Sequence, residues 1–428
     1  MIISPAKRTE SVQEYYFSRK LKEIAAMNAE RAAAGEEPVI NLGIGSPDGM
    51  PPMEAVEALC ESARQPGNHA YQSYVGLPEL RQAFADWYAC WYGVELDPAK
   101  EIQPLVGSKE GILLISLAFL NKGDKVLVPD PGYPTYSSAS KMVEAEILTY
   151  DLKAENGWQP DFEALEQMDL EGVKIMWTNY PNMPTGAPAT EELYARLVDF
   201  GKRHGILICN DNPYSFILND NPISILSQPG AKECCLELNS LSKAHNMAGW
   251  RVGMVAAEAD VIAQILKVKS QMDSGMFKPL QLAAVQALKQ GPEWFAELND
   301  EYRRRRVLAG EIFDLLGVKY DHDSAGMFLW GTVESDLVNS PVDFCSEQSV
   351  VAGVAGPAER ERAVETITCP TIGQELSDKI LYEAGVFITP GFIFGKNGEN
   401  YIRISLCAKP EVLLQAAERI KKALNVTC

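Results

Sequence analysis

The chain reads as an α/β protein: a largely parallel sheet covered by helices on both faces, followed by a smaller α+β region. Three observations predict this. From about residue 100, short apolar segments alternate with roughly 20–40 residues of helix and loop, the spacing of parallel strands joined by crossovers. After Gly291-Pro292 that rhythm gives way to one long charged helix and scattered strand-like pieces. The length of 428 residues is about three times a ~150-residue domain, so two domains fit better than one.

Taken in order, residues 8–34 read as one helix: Tyr16, Leu21, Ile24, Ala25 and Met27 form an apolar stripe and Gly35 ends it. Asn41 to Asp48 is a glycine-rich loop, with Gly43-Ile44-Gly45-Ser46-Pro47-Asp48 at its centre. The strand candidates are Ile102–Val106, Lys125–Val128, Val173–Thr178, Ile206–Cys209, Cys235–Leu238 and Val252–Val255. Beyond residue 291 come a helix over about 293–316, a strand Met327–Trp330, an irregular stretch to about 373, a helix near 375–384 and a strand Tyr401–Leu406. The arginines Arg303–Arg306 read as a solvated helix face rather than a phosphate or nucleic-acid patch.

Composition narrows the function classes. With 46% hydrophobic and 23% charged residues the chain is neither disordered, collagen-like nor a disulfide miniprotein. A net charge of −19 excludes a general nucleic-acid or anionic-membrane binder, though a local cluster of donors can still hold a small anion. The longest strongly apolar run, Ile112 to Leu120, is far short of the roughly 20 residues of a membrane span, and the N-terminus lacks the apolar stretch of a signal peptide. Nine cysteines without Cys-x-x-Cys pairs, several (Cys60, Cys209, Cys407) within apolar patterns, predict reduced buried thiols and a cytoplasmic protein. Four isolated histidines offer no metal constellation.

In open parallel sheets, ligands collect beyond the carboxyl ends of the strands, so the residues after each apolar run carry the information. They are Gly107-Ser108-Lys109-Glu110-Gly111 at a helix start, Tyr133 in a Pro/Gly turn, the turn Asn179 to Gly186 with two prolines, Asp211 before Pro213-Tyr214, and Ser240-Leu241-Ser242-Lys243 with Arg251 eight residues on. Each has an ordinary explanation: a plain helix start, turn packing, a cap, a solvated lysine. Their company at one sheet edge matches the needs of pyridoxal 5'-phosphate. Lys243 supplies an amine for its aldehyde, while Arg251, Ser240, Ser242 and the Ser108–Lys109 amides supply donors for its phosphate. Asp211 offers a carboxylate for its ring nitrogen, Tyr214 a donor for its phenolic oxygen, and Tyr133 a ring to stack.

On these residues the chain resembles the class I/II, fold-type I pyridoxal-phosphate aminotransferases. The segment from Ser240 to Lys243 with Gly249-Trp250-Arg251-Val252-Gly253 fits the family's lysine-site signature at every position. Further matches run along the chain: Asn-Leu-Gly-Ile-Gly-Ser-Pro-Asp (41–48), Tyr71 with Gly-Leu-Pro-Glu-Leu (76–80), Asp-Pro-Gly-Tyr-Pro (130–134), Pro-Thr-Gly (184–186), and Pro-Gly-Phe-Ile-Phe-Gly (390–395) before Arg403.

The resemblance implies a seven-stranded, mostly parallel sheet in a large domain, residues 48–290. It also implies a small α+β domain of residues 291–428, joined by an N-terminal helix and arm, 1–47. It further implies that Lys243 holds the internal aldimine and moves the substrate proton, that Arg403 clamps the α-carboxylate beside the Gly45 backbone, and that Tyr71 reaches the phosphate of a second subunit in a homodimer. The implied activity is amino transfer between an L-amino acid and a 2-oxo acid. The same scaffold also serves lyases of the C–S β-lyase type, recognised by pyruvate and ammonia from one substrate alone. A nicotinamide reading rests only on Gly43-Ile44-Gly45, which lacks the third glycine and the following helix. Two departures from the family stand out. Met183 occupies the place of an asparagine that hydrogen-bonds the cofactor's phenolic oxygen, with Asn182 one place earlier as the candidate to replace it or Tyr214 left as the remaining donor, and the stretch 339–372 is longer than usual.

Overall fold

The computed structural model describes residues 3–10, 12, 14–334 and 370–424, so residues 339–369 of the long 339–372 connection lie outside the described residues. Strand β1 (Ile40–Asn41) comes first in the chain. Then follow β2 (Ile102–Leu105), β3 (Lys125–Asp130), β4 (Glu146–Asp151), β5 (Val173–Thr178), β6 (Leu207–Asp211), β7 (Cys235–Ser240) and β8 (Gly253–Ala257). These last seven make one sheet in the order β2-β8-β7-β6-β5-β3-β4. Strand β8 runs antiparallel to β2 and β7, and every other neighbouring pair is parallel.

Alternation along the strands explains why they read as continuous apolar runs. Ile175, Trp177, Leu236 and Leu238 face one layer, where Ile112 and Ile115 of helix Ser108–Phe119 and Ile262 and Ile265 of helix Ala259–Lys269 bury them. Leu127, Met176 and Ile208 face the other, against Phe84 and Tyr88 of helix Pro78–Tyr92 and Leu193 and Leu197 of helix Glu191–His204. Both faces being covered, no polar alternation is required. Strand β4 carries no such run because it is the edge strand, with only Tyr150 buried, and the sequence gives no apolar segment there.

A second, antiparallel sheet is built by β9 (Lys319–Tyr320), β10 (Phe328–Thr332), β12 (Thr389–Pro390) and β13 (Tyr401–Ser405), in the order β12-β13-β10-β9. Strand β11 (Val386–Phe387) pairs in parallel with β1. Helices Pro292–Leu315, Ile372–Ala384 and Pro410–Ala423 accompany this sheet. No helix among the described residues is long and apolar enough to cross a membrane.

Three local expectations need correction. The single helix over 8–34 is two helices, Lys7–Glu10 and Tyr16–Ala33, with Tyr15 extended between them (φ −57°, ψ 127°). The break brings the Tyr15 ring onto Phe17, at 5.5 Å, and under the Lys109 ammonium, at 5.1 Å, contacts that local helix propensity cannot foresee. The arginine run is not a uniform solvated face: Arg303 and Arg304 are exposed, whereas Arg305 is buried and bridges Asp48 and Glu301 at 2.7 and 2.8 Å. Among the apolar-pattern cysteines, Cys209 and Cys407 are buried but Cys60 is exposed, on the outward face of helix Met53–Ala63.

Candidate active site

A cavity of about 340 Å³ opens where the carboxyl ends of β6 and β7 meet the antiparallel sheet. Strand β7 ends at Ser240, and the turn beyond it delivers Ser242 and Lys243 to the cavity wall. The Ser240 hydroxyl donates to Ser242 Oγ at 2.7 Å and accepts from the Ser242 amide at 3.1 Å, so the turn is closed by its own side chains. Arg251 follows in the left-handed region (φ 58°, ψ 56°), which aims its guanidinium back at Ser242 Oγ (3.4 Å) and the Ala248 carbonyl (2.9 Å). Close approach to the next strand end demands a glycine: at Gly107 (φ +80°) a Cβ would lie 2.3 Å from Arg251 Nη2. Ser108 and Lys109 then open a helix whose first amides have no intrahelical partner, and both line the cavity. Two hydroxyls, a guanidinium and a helix N-terminus thus share one end of the cavity, a donor set suited to a phosphate-sized anion.

Strand β6 ends at Asp211, which is buried. Its Oδ2 accepts from the Tyr136 hydroxyl at 3.0 Å, and its Oδ1 is buried without a hydrogen-bond partner. Tyr136 is itself held by stacking on Trp177, with ring centroids 5.1 Å apart and planes 5° off parallel. Burial pushes the Asp211 carboxyl up to about 7. Tyr133 and Tyr214 also line the cavity, and burial keeps the Tyr214 phenol protonated well above its ordinary range. Lys243 donates from Nζ to the Gly45 carbonyl, and burial lowers its ammonium below the usual lysine range.

The opposite wall belongs to Arg403, on β13 opposite Trp330 of β10. It is 4% exposed, donates from Nη2 to the Gly43 carbonyl at 2.8 Å, and sets Nη1 3.2 Å from Met183 Sδ. Its Nε is buried without a partner. The rings of Phe328, Phe394 and Phe17 surround the guanidinium at 3.9, 4.7 and 5.9 Å. Burial lowers its proton affinity to about 10. A guanidinium caged by aromatic faces with a donor unused is set for a planar anion such as a carboxylate. Gly45 completes this wall because a Cβ there would meet Phe328 at 2.3 Å.

Ser108, Lys109, Tyr133, Asp211, Tyr214, Ser240, Ser242, Lys243, Arg251, Gly45 and Arg403 are therefore brought together, while two sequence candidates are not. Asn182 does not line the cavity: its amide donates to the Asn179 carbonyl and its Oδ1 accepts from Thr185, so the turn consumes it. Tyr71 is 90% exposed and away from the cavity of its own chain.

The wall also includes residues that the sequence did not mark as site candidates: Tyr15, Phe17, Leu21, Tyr136 and Phe328, with Phe394 from the Pro-Gly-Phe-Ile-Phe-Gly segment. Asn179, the first residue of the turn after the β5 run, also lines the cavity, and its amide donates to the Asp211 backbone carbonyl.

Known proteins add a consistent picture. A family model described as aminotransferase class I and II matches residues 37–420. An LL-diaminopimelate aminotransferase of Maridesulfovibrio salexigens is 39% identical over 420 residues, 97% of this chain and 98% of that protein. Another, of Aquifex aeolicus, is 39% identical over 385 residues, covering 90% and 91%. Among solved structures, substrate-bound BacF from Bacillus subtilis superposes with a TM-score of 0.83 at 32% identity, over 99% of this chain and 98% of that one. A Thermus thermophilus aspartate aminotransferase mutant shares the fold, with a TM-score of 0.83 at 24% identity over 98% and 100%. The names of these curated relatives are those of transaminases, so the C–S lyase alternative is not favoured. With the family model spanning nearly the whole chain, the protein belongs to the class I and II aminotransferases.

Proposed function

We propose that this aminotransferase works with pyridoxal 5'-phosphate in the cavity and takes LL-diaminopimelate, or an L-amino acid of similar length, as amino donor to a 2-oxo acid. One observation carries the reading: Lys243, Asp211 and Arg403 face one cavity, where buried Asp211 and Arg403 each keep one polar atom without a partner in the fold and the Lys243 amine meets only the Gly45 carbonyl. Buried polar atoms are normally paired, so the orphaned Asp211 Oδ1 and Arg403 Nε mark positions shaped for bound groups. Asp211 suits a protonated ring nitrogen, the end formed by Ser108, Ser240, Ser242 and Arg251 suits the phosphate, and Tyr214 suits a phenolic oxygen.

When bound, the cofactor supplies the electron sink that lets the α-carbon proton of an amino acid leave. The chain does the rest. Burial of Lys243 raises the fraction of free amine at Nζ, which would hold the cofactor aldehyde and, once the substrate amine displaces it there, would take and return the proton at the substrate α-carbon. Arg403 fixes the substrate α-carboxylate so that this carbon faces Nζ, and the Phe17, Phe328 and Phe394 rings exclude water around it.

The substrate reading is supported by the two LL-diaminopimelate aminotransferases above and by Lys109, a fourth cation on the cavity wall beside Tyr15, in place to meet a distal carboxylate. We further assign residues 48–290 to a large cofactor-binding domain and 1–47 with 291–428 to a small one, in a cytoplasmic homodimer. The two sheets support the division, the free cysteines suit a reducing compartment, and the exposed Tyr71 suits a role in a partner's site.

Borohydride treatment of the yellow holoenzyme should attach the cofactor permanently to Lys243, and Lys243→Ala should abolish turnover. Mapping the adduct to another lysine overturns the site. LL-diaminopimelate should be consumed only when a 2-oxo acid is present, and a clear preference for an unrelated amino acid overturns the substrate. Mixed dimers of inactive Tyr71→Phe and Lys243→Ala subunits should regain activity, and inactive hybrids would refute site sharing.

A further inference from the structure

Strand β7 carries a glutamate that the site just described does not use. Glu237 is completely buried and sits in register with Asn210 of β6, one step before Asp211 pairs with Leu238. Its Oε1 accepts from the Tyr88 hydroxyl at 2.9 Å and from Ser224 Oγ at 2.7 Å, and its Oε2 from Asn210 Nδ2 at 3.0 Å and the Ile225 amide at 3.1 Å.

Two of these donors can only donate. The other two are hydroxyls already engaged as acceptors, Tyr88 from Asn239 Nδ2 and Ser224 from the Leu226 amide, which directs their protons at Glu237. Four inward protons are the complement of an ionised carboxylate.

All four partners are neutral, so the charge is buried without a counter-ion: burial raises the Glu237 carboxyl above its ordinary range, and the four hydrogen bonds act against that rise. The titratable groups on its side of the sheet are Tyr88 and Tyr92 of helix Pro78–Tyr92, Tyr194 of helix Glu191–His204 and Cys235 on its own strand, while Asp211 on the next strand points to the opposite face, with Tyr136. Burial holds the tyrosines protonated, and the Cys234 hydrogen bond together with burial does the same for Cys235, leaving Asp211 as the group whose charge can respond. Burial is the main cause of the raised Asp211 carboxyl, and the Glu237 charge pushes it in the same direction.

Building on the pyridoxal phosphate reading, we propose that Glu237 is a positioning residue that acts through Asp211, its buried negative charge strengthening the hold of that carboxylate on a protonated ring nitrogen. The two carboxylates sit on adjacent strands one register step apart and act on each other through the thickness of the sheet, where little water intervenes to screen the interaction. Glu237 need not touch the cofactor. It makes the site around Asp211 more negative, so a proton on the ring nitrogen is retained more firmly.

The test compares pyridoxal phosphate with its analogue bearing CH in place of the ring nitrogen, which keeps the aldehyde, hydroxyl and phosphate. Both are titrated into cofactor-stripped enzyme at pH 8.5 and followed by absorbance. Glu237→Gln is nearly isosteric; its oxygen can face Asn210 and Ile225 while the Tyr88 and Ser224 hydroxyls turn to accept from its amide. The variant should bind pyridoxal phosphate about tenfold more weakly, the equivalent of one pKa unit, and the CH analogue within about twofold of wild type.

Equal loss for both ligands, or loss for neither, overturns the proposal. Failure of the wild-type protein to bind pyridoxal phosphate would instead refute the cofactor reading. If Glu237→Gln does not fold, Tyr88→Phe combined with Ser224→Ala weakens the same carboxylate by removing two donors. That variant should lower the same selectivity several-fold, and unchanged selectivity overturns the proposal equally.

Discussion

Arg305 and Arg403 are both buried arginines close to the glycine-rich loop at 43–48, yet their surroundings are opposite. Arg305 bridges Asp48 and Glu301 and donates to the Leu406 carbonyl, so carboxylates already meet its charge. Arg403 has a backbone carbonyl, a thioether and three aromatic faces, and one of its nitrogens bonds to nothing. Residue type and burial do not distinguish them. The difference lies in whether the fold itself supplies the anion: where it does, the arginine is a structural tie, and where it does not, the anion must arrive as ligand. The same contrast separates Lys269, buried between Glu110 and Asp273, from Lys243, which meets only the Gly45 carbonyl.

The largest effect that would sharpen this contrast is expected from Arg403→Lys. An ammonium cannot reproduce the planar two-pronged contact. Losing it should cost about 2–5 kcal/mol of productive binding, roughly a 30-fold to several-thousand-fold fall in kcat/KM for amino and oxo acids. Thermal stability and cofactor affinity should stay near wild type. Unchanged specificity constants would break the comparison.

Arg305→Met should show the reverse pattern. It strands the Asp48 and Glu301 carboxylates, partly exposed, so stability should fall by about 2 kcal/mol in denaturant titration. Activity per folded molecule should decline far less than in Arg403→Lys. Full stability accompanied by a collapse of activity would place Arg305 in the wrong class.

The smallest effect tests whether the two environments can be interconverted. Met183→Asn would offer Arg403 a permanent amide oxygen in place of sulfur, moving it toward the satisfied state of Arg305. A built-in partner worth about 0.5–1.5 kcal/mol should raise KM for the amino acid roughly 2- to 10-fold, with a slight gain in stability. A KM that stays constant or falls would show that this thioether contact does not tune the arginine.

Much of the site was legible because a parallel sheet sets its ligand residues immediately after apolar runs. Asp211, Ser240, Ser242, Lys243 and Arg251 could be placed on one edge from spacing alone. What escaped was decided by distant contacts. Arg305 cannot be told from Arg303 and Arg304 within the helix, since its partner Asp48 lies 257 positions away. Tyr15 and Phe17 read as part of one continuous helix, whereas Tyr15 is extended and packs under Lys109 from a distant part of the chain. Asn182 fits the motif, but the turn it sits in claims its amide before the cavity can. Motif position records which residues travel together in a family; it does not record which atoms are still free.

For protein engineering, the loop at 43–48 is a poor target and the Met183 wall a good one. The Gly45 carbonyl meets Lys243, the Gly43 carbonyl meets Arg403, and Asp48 meets Arg305, so one short loop ties three basic residues from remote parts of the chain. A Cβ at Gly43 would strike Phe387 at 2.5 Å, as one at Gly45 would strike Phe328. An insertion or deletion there would put all three contacts out of register together. A mutant library aimed at a wider substrate range should hold this loop fixed and diversify Tyr15, Leu21 and Met183, where side chains rather than backbone carbonyls shape the cavity.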